Sequence, residues 1–275
     1  MVVRDEDFQA FSEFEKNTWA RLTEHYVSLS GRITQQASTV ALDAIGVGSG
    51  MMLLDVACGP GYVAAEATKR GAKSIGIDFS ADMVDVAREQ FPDIRFEVGD
   101  AQQLAFTDKS FDSIICSFGL LHLPRPGLAL REASRVLRSG GRYAFTVWSI
   151  PQQTDFFGII GQVIQTYSEP TQTTSNLPGM FMLSDPWVSS ALMDSAGFQD
   201  VTIAQIPIYF EPTSTADVIE FLYKSTMRPA EAFKQMAPGR RSEAENALRD
   251  GAKKAMASGG GRIACPALLV TGASP

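Results

Sequence analysis

The chain has 275 residues, of which 45% are hydrophobic, and a formal net charge of −7. A chain of this length can bury one large core, or a core with a small accessory lobe. Its acidity argues against nucleic-acid binding, which needs clustered lysine and arginine, and no apolar run approaches the ~20 residues of a membrane span. The widely spaced Cys58, Cys116 and Cys265 form no metal-ligand pattern, so we expect reduced thiols in a cytoplasmic protein.

The first half of the chain is predicted to alternate strands with helices. Helical spacing of aromatic and aliphatic residues predicts a helix from Asp5 to Leu42. Apolar runs without alternation then indicate strands buried on both faces of a sheet. We expect strands at 51–56, 74–77, 94–98, 113–118 and 142–148, and helices at 62–70, 81–90 and 125–137. Ser80 is expected to cap the second of these helices, and Gly140 and Gly141 to end the third. The alternation predicts an α/β fold with a mainly parallel sheet.

Beyond Trp148 the pattern changes. We expect a helix at 155–167, a loop at 168–182, a helix at 186–195, a strand at 201–210, two or three helices within 215–257 and a final strand at 263–270. The late helices interrupt the sheet and are expected to cap it. We therefore divide the chain into an N-terminal helical lid segment (1–45), a core (46–150) and a remainder (151–275). The remainder carries the inserted cap at about 151–185 and 212–258.

One segment joins a predicted buried strand to a helix through a tight turn, Asp55-Val56-Ala57-Cys58-Gly59-Pro60-Gly61. Glycine permits a sharp turn and close approach of the backbone to a ligand. In open α/β sheets, ligands bind at the carboxyl ends of the strands. The segment has neither GxGxxG nor the Gly-Lys-Ser/Thr of a P-loop. It therefore favours a nucleotide-like ligand without a pyrophosphate, and leaves open a purely structural strand–helix turn.

Two acidic positions follow later strands. Asp78 ends the second predicted strand, about 20 residues after the glycine turn, where an acid accepts hydrogen bonds from ribose hydroxyls in nucleotide-binding sheets. Asp100, within Gly99-Asp100-Ala101, follows the third strand and could accept from an exocyclic amine. A helix-capping role for Asp78 and a turn-forming role for Gly99-Asp100 are the structural alternatives. Three such motifs in order at successive strand ends form a more specific signal than any one alone.

With these motifs the sequence resembles the class I, seven-stranded S-adenosylmethionine-dependent methyltransferases. It is most similar to the branch that holds ubiquinone/menaquinone-biosynthesis and natural-product methyltransferases. The matching segments lie within residues 50–150 and read LLDVACGPGYVA (53–64), IGIDFSADMVDVAR (75–88), FEVGDAQQLAFTDKSFDSIICSFGLLHL (96–123) and REASRVLRSGGRYAFTVW (131–148). Leu-His-Leu at 121–123 departs from the Leu-His-His that is frequent in this family, which puts a role for a pair of histidines in doubt.

The resemblance implies a Rossmann-like, doubly wound sheet of seven strands with a helical cap or lid. It also implies S-adenosylmethionine as cofactor, S-adenosylhomocysteine as product and no metal.

The resemblance assigns cofactor contacts to strand ends. Asp55, Gly59 and Gly61 would hold the amino-acid end, Asp78 the ribose hydroxyls, and Ser117 would face the sulfonium. The full predicted set is Asp55, Ala57, Cys58, Gly59, Gly61, Asp78, Phe79, Ser80, Met83, Gly99, Asp100, Ala101, Ser117 and Phe118.

Methyl transfer requires alignment of the reacting atoms, and a base only when the nucleophile is a neutral hydroxyl or an acidic carbon. His122, after the fourth predicted strand, is the first candidate base, and His25 and Tyr26 on the N-terminal helix are further candidates. A structural role for each histidine stays open. Acceptor contacts are expected from aromatic residues, for each of which an ordinary core position is the alternative. These residues are Trp19, Tyr26, Trp148, Phe157 and Phe181.

The sequence therefore predicts methyl transfer from S-adenosylmethionine to a carbon or oxygen of a small, fairly hydrophobic metabolite of quinone, terpenoid, polyketide or alkaloid type. The alternative is a protein that binds the same cofactor but catalyses a non-methylating reaction such as cyclisation. A nicotinamide enzyme conflicts with the missing GxGxxG. The expected partner is a small-molecule acceptor, with no nucleic acid and no membrane span, and a homodimer is left open.

Overall fold

The computed structural model describes residues 4–169 and 179–275. Its helices are α1 (Asp5–Tyr26), α2 (Ser30–Thr34), α3 (Gln36–Ala44), α4 (Tyr62–Lys69), α5 (Ala81–Gln90), α6 (Pro126–Val136), α7 (Asp155–Tyr167), α8 (Pro186–Ser195), α9 (Thr215–Ser225), α10 (Arg228–Gln235) and α11 (Pro238–Ser258). Its strands are β1 (Met52–Val56), β2 (Lys73–Asp78), β3 (Arg95–Val98), β4 (Phe111–Ser117), β5 (Leu137–Trp148), β6 (Gln199–Ile206), β7 (Tyr209–Phe210), β8 (Ile263–Ala264) and β9 (Ala267–Ala273). One turn of 3₁₀ helix spans Leu120–His122.

Seven strands form one sheet in the order β3-β2-β1-β4-β5-β9-β6. The strands from β3 to β5 are parallel, and β9 runs antiparallel to both β5 and β6. This confirms the predicted α/β, Rossmann-like, mainly parallel seven-stranded sheet. The strand order reverses between β1 and β4, so the carboxyl ends of these strands flank the point where open α/β sheets bind ligands.

The central strands are buried on both faces. Leu53 and Leu54 of β1, and Ile114 and Ile115 of β4, are all fully buried. Adjacent residues point to opposite faces of a strand, so burial of both neighbours requires cover on each side of the sheet. This cover explains why the sequence shows continuous apolar runs in place of alternation.

Three helices interrupt the sheet at the place expected from the sequence. The chain leaves the large sheet after β6, continues through α9, α10 and α11, and returns as β9. Part of the loop expected at 168–182 lies outside the described residues, and the division into lid, core and cap stays a prediction. No helix among the described residues combines the length and apolarity needed to cross a membrane.

The prediction of one continuous helix from Asp5 to Leu42 is wrong, because this segment forms the three helices α1, α2 and α3. The chain turns after α1, and Leu29 has φ −117° and ψ −87°, outside the helical region. The turn brings Gly31 against the ring of Tyr62, where a Cβ would lie 2.9 Å from the nearest ring carbon. Contact with a residue far along the chain therefore sets this break, and helical periodicity does not reveal it.

Two other boundaries differ for local reasons. Helix α6 ends at Val136, and the extended Leu137 already pairs with Phe111, so Gly140 and Gly141 lie within the irregular start of β5. The strands predicted at 201–210 and 263–270 are each split next to a proline, Pro207 and Pro266. Proline has no N–H to donate to a strand ladder, which accounts for both interruptions.

Gly61 offers a test of the packing beneath the glycine turn. It has φ +85°, and an added Cβ would lie 2.6 Å from the Phe96 ring, whereas Gly140 has φ +73° and no atom within 4 Å of an added Cβ. Both alanine variants incur the left-handed backbone cost of roughly 1–2 kcal/mol, but only Gly61→Ala adds overpacking of about 1–3 kcal/mol. We expect urea unfolding to show the larger loss of stability in Gly61→Ala. Equal losses of stability in Gly61→Ala and Gly140→Ala would contradict the close packing of Gly61 on Phe96.

Candidate functional site

A cleft lies at the carboxyl ends of β1, β2 and β4, and we call it the strand-end cleft. Its two halves share Tyr26, Ala57, Gly59 and Ser117. Nine of the predicted cofactor residues line it: Asp55, Ala57, Cys58, Gly59, Asp78, Phe79, Met83, Ser117 and Phe118. The sheet topology thus brings the residues at the ends of β1, β2 and β4 together in one place, whereas the motif after β3 lies outside the cleft.

Asp55 is a fully buried acid on β1. Its Oδ2 accepts a hydrogen bond from the Ala64 N–H of α4 at 3.0 Å, while its buried Oδ1 has no partner. Burial raises the pKa of Asp55 to about 8, because removal from water disfavours the charged carboxylate. An unpartnered oxygen on a buried acid that lines a cleft is costly in the absence of a ligand. It therefore marks a place for a hydrogen-bond donor.

Asp78 connects the glycine turn to the end of β2. Its carboxylate accepts from the N–H groups of Gly59 and Ser80, each at 2.9 Å. Burial raises the pKa of this acid as well. Ser80 in turn caps α5, its Oγ accepting from the Met83 N–H at 3.4 Å. Each carboxylate oxygen has a further lone pair, so Asp78 can still accept from a ligand hydroxyl.

The charge of the strand-end cleft favours a cation. Asp55 and Asp78 are both buried there, and no lysine or arginine occurs among the described residues that line it. Two buried acids without a basic partner raise each other's cost of ionisation. A ligand that carries positive charge relieves this cost, whereas a pyrophosphate would add to it.

The backbone around the cleft adopts rare conformations. Ala57, after β1, has φ +56°, and Phe118, after β4, has φ +55°. Non-glycine residues adopt such angles at a cost, and they are concentrated at ligand-binding sites. Gly59 has φ +50° and no atom within 4 Å of an added Cβ, so its backbone faces open space beside both acids. A ligand can therefore approach this backbone closely.

Five predicted cofactor residues do not line the cleft: Gly61, Ser80, Gly99, Asp100 and Ala101. Gly61 packs on Phe96, and Ser80 acts as a helix cap. Asp100 is exposed, and its Oδ1 accepts from the Gln102 N–H at 2.8 Å. It lines a separate surface depression next to α1, together with Arg125. A direct role of these five in binding stays a prediction.

An apolar cavity adjoins the strand-end cleft, and the two share Trp19, Tyr26, Thr34, Phe118 and His122. Its lining is mainly apolar and aromatic, which is typical of pockets for small organic ligands. Trp148 forms one wall, with ring centroids 4.2 Å from Phe118 and 5.2 Å from Phe157.

Four of the five predicted acceptor residues line this apolar cavity: Trp19, Tyr26, Trp148 and Phe157. Phe181 does not line it, and packs edge-on against Phe157 at 5.5 Å between centroids. Phe181 therefore supports the wall from behind in this structure.

His122 lies at the boundary between the cleft and the apolar cavity. Its Nδ1 is 3.0 Å from Oε2 of Glu15 on α1. The Trp19 ring, one turn further along the same helix, meets the imidazole perpendicularly at 4.9 Å between centroids. The N-terminal helix thus contributes to the same site as the loop after β4.

The other two candidate catalytic residues have different surroundings. His25 lines a separate depression beside Arg21, Tyr223 and Lys234, and the structure does not bring it to the apolar cavity. Tyr26 reaches both the cleft and the cavity, and its hydroxyl shares a hydrogen bond of 3.0 Å with Thr34. Burial raises the pKa of Tyr26 to about 12, so its hydroxyl stays protonated near neutral pH.

The sequence reasoning missed Glu15 and Thr34, which both line the apolar cavity. Glu15 had a usable signal, because it stands four residues after Phe11 and four before Trp19, on the apolar face of the predicted helix. An acid at such a position needs a polar partner inside the protein. Thr34 had no comparable signal.

Comparison with known proteins shows which family the chain belongs to. A family model described as a methyltransferase domain matches residues 54–145. A demethylmenaquinone methyltransferase of Streptomyces griseus is 30% identical over 190 residues, which cover 66% of this chain and 81% of that relative. The chain belongs to the class I S-adenosylmethionine-dependent methyltransferases. This confirms the resemblance seen in the strand-end motifs.

Further comparisons show how far the similarity extends. A demethylmenaquinone methyltransferase of Beutenbergia cavernae is 37% identical over 129 residues, covering 47% of this chain and 54% of that relative. The chain spans about half the length of this and two further relatives of the same name. The crystal structure of the YcgJ protein from Bacillus subtilis has a TM-score of 0.58 at 19% identity, covering 87% of this chain and 98% of that chain. That likeness shows the fold.

S-adenosylmethionine, the cofactor of this family, fits the residues present. The unpartnered Oδ1 of Asp55 matches an ammonium donor, and the two buried acids match a cofactor that carries a sulfonium. The open space beside Gly59 admits a ligand against the backbone.

Proposed function

We propose that this methyltransferase transfers a methyl group from S-adenosylmethionine to a carbon or oxygen of a small, fairly hydrophobic acceptor of quinone type. The observation that carries the proposal is the direct connection between the acidic strand-end cleft and the apolar cavity. Several relatives are named as methyltransferases of demethylmenaquinone, which supports a quinone-type acceptor.

In this proposal, Asp55 accepts a hydrogen bond from the cofactor's ammonium through Oδ1, and Asp78 accepts from the ribose hydroxyls. Phe79 and Met83 provide apolar contacts for the adenosine. Ser117 lines both halves of the cleft and Phe118 lines the cleft and the apolar cavity, so in this proposal both face the sulfonium end. When bound, the cofactor supplies a methyl group already activated for nucleophilic attack.

The remaining work of the protein is to orient the acceptor and exclude water. Orientation alone can lower a barrier by roughly 7–11 kcal/mol in favourable cases. The rings of Trp148, Phe157 and Trp19 provide rigid apolar walls for a flat acceptor. Aromatic faces near a sulfonium also stabilise its charge.

The activated methyl group needs no Lewis acid, so we propose a reaction without a bound metal. The net charge of −7 disfavours nucleic acid as the acceptor. We further propose that the protein works in the cytoplasm, and whether it forms a homodimer stays open.

Gly59→Ala tests the close approach of the cofactor to the backbone. Its cost in folding stability should resemble that of Gly140→Ala, since neither added Cβ meets another atom. A Cβ at Gly59 would, however, occupy space needed by the ligand. We expect calorimetry to show at least about 10-fold weaker binding of S-adenosylmethionine, a loss of about 1.4 kcal/mol, with no change in Gly140→Ala. Equal affinities in the two variants would contradict the proposed position.

The function is tested with S-adenosylmethionine that carries a deuterated methyl group and a short-chain reduced demethylmenaquinone as acceptor. Mass spectrometry should detect a product that has gained the labelled methyl group. Cofactor binding without a labelled product from this quinol or from a panel of phenolic acceptors would refute the proposal. A product of unchanged elemental composition would instead support the cyclisation alternative.

A further inference from the structure

The pair formed by Glu15 and His122 is buried where the cleft and the apolar cavity meet. The Glu15 side chain is 4% exposed and that of His122 is 17% exposed. Among the described residues, Glu15 forms no ion pair with lysine or arginine, and its carboxylate contacts His122 alone as a hydrogen-bond partner. A buried carboxylate is costly unless it is paired, so the imidazole is its compensating group.

This contact determines which imidazole nitrogen is free. An ionised carboxylate only accepts hydrogen bonds, so Nδ1 of His122 carries the hydrogen in the contact with Glu15. Nε2 of the neutral ring then carries a lone pair, and no described group hydrogen-bonds to it. The perpendicular Trp19 ring further restricts rotation of the imidazole. His122 lines the apolar cavity, where a bound molecule would meet its imidazole ring.

We propose that Glu15 is a positioning residue that holds His122 as the base for an acceptor that loses a proton on methylation. This inference rests on the proposed methyl transfer and narrows the acceptor to one with a hydroxyl or an acidic C–H. The acceptor's O–H or C–H bond breaks as an electron pair of the acceptor forms the bond to the methyl carbon. The S–C electron pair stays on sulfur. The proton goes to Nε2, and the carboxylate of Glu15 stabilises the resulting imidazolium until water removes the proton.

The pair also gives α1 a chemical role. Glu15 lies outside the residues 54–145 that match the family model, and it does not line the strand-end cleft. A change at Glu15 should therefore alter turnover while leaving cofactor affinity unchanged.

The first readout is the position of the hydrogen on His122. The chain has two histidines, so His25→Gln leaves a single imidazole whose two nitrogens can be followed by ¹⁵N NMR. We expect the neutral ring to carry its hydrogen on Nδ1. Adding Glu15→Leu should shift it towards Nε2, because leucine offers no acceptor for a hydrogen on Nδ1. A hydrogen on Nε2 before that change, or no move after it, would overturn the pairing.

The second readout is turnover with the reduced demethylmenaquinone probe. Glu15→Gln should lower kcat by at least about 100-fold, the lower range for loss of a general base, with the Kd for S-adenosylmethionine within about twofold of wild type. Glu24→Gln, an exposed acid on the same helix, is the matched control and should retain full turnover. Retained kcat in Glu15→Gln would overturn the base role alone. If wild type binds the cofactor but transfers no methyl group, both the proposed function and the base role are refuted. The NMR measurement would still show whether Glu15 and His122 are hydrogen-bonded.

Discussion

Replacing Asp55 with asparagine is expected to weaken binding of S-adenosylmethionine by about 10- to 150-fold. The reason is loss of a charge-assisted hydrogen bond to the cofactor's ammonium, which is worth about 1.5–3 kcal/mol. Asparagine keeps the shape of the side chain and can still accept from the Ala64 N–H, so the strand–turn–helix segment should remain folded, while an NH2 donor takes the place of Oδ1. Calorimetry at pH 8 measures the change, with the exposed Asp93→Asn as control. An unchanged affinity in Asp55→Asn would remove Asp55 from the cofactor site.

The same substitution should stabilise the protein without ligand. The folded-state pKa of Asp55 is about 8 against an ordinary 3.8, so the folded chain binds one more proton than the unfolded chain between these values. Stability contributed by the neutral acid is complete below about pH 4 and is lost as the pH rises through 8. The free energy of unfolding of wild type should therefore fall by about 2–4 kcal/mol more than that of Asp55→Asn between pH 5 and pH 9. Urea unfolding of both proteins at pH 5 and pH 9 measures this difference. An equal change of stability in wild type and Asp55→Asn would contradict a raised pKa at Asp55.

Asp78→Ala is expected to weaken cofactor binding by at least about 100-fold. It removes the acceptor for the ribose hydroxyls, at about 1.5–3 kcal/mol for a bond to a charged group. It also releases the N–H groups of Gly59 and Ser80, so the glycine turn loses its connection to β2. Loss of the acceptor for these two N–H groups, of which that of Ser80 is buried, should also lower the free energy of unfolding by about 1–3 kcal/mol.

Ser80→Ala separates these two effects of Asp78. It removes the cap of α5, at a cost of about 0.5–2 kcal/mol in stability, and leaves the carboxylate in place. Affinity for the cofactor should fall far less than in Asp78→Ala. A 2′-deoxy analogue of the cofactor should bind wild type more weakly than the parent compound, and Asp78→Ala should discriminate less between the two. Equal losses in Ser80→Ala and Asp78→Ala would show that Asp78 acts only through local structure.

Nine predicted cofactor residues line the strand-end cleft because their signals are local. Each lies at or near the end of a strand or on the segment that follows it, and a parallel sheet places the ends of β1, β2 and β4 at one edge. Helices α5 and α8 were predicted at their observed residues, because Ser80 and Pro186 mark their starts in the sequence. Such features depend on neighbouring residues alone.

The acceptor half was predicted less completely, because distant segments form it. The cavity is lined by Trp19 from α1, Trp148 from β5 and Phe221 from α9. Only the tertiary fold brings these three residues together. The break after α1 depends in the same way on contact between Gly31 and Tyr62. The position of Glu15 on the apolar face of α1 indicates a need for a polar partner, but the partner itself stands 107 residues later and has no local signal.

A crystal structure with bound S-adenosylhomocysteine tests the central claim most directly. We expect the ligand in the strand-end cleft, with its ammonium on Oδ1 of Asp55, its ribose hydroxyls on Asp78 and its sulfur facing the apolar cavity. His122 should still contact Glu15 there, with Nε2 directed to the space beside the sulfur. A ligand bound elsewhere, or a sulfur atom separated from the apolar cavity by protein, would contradict the account.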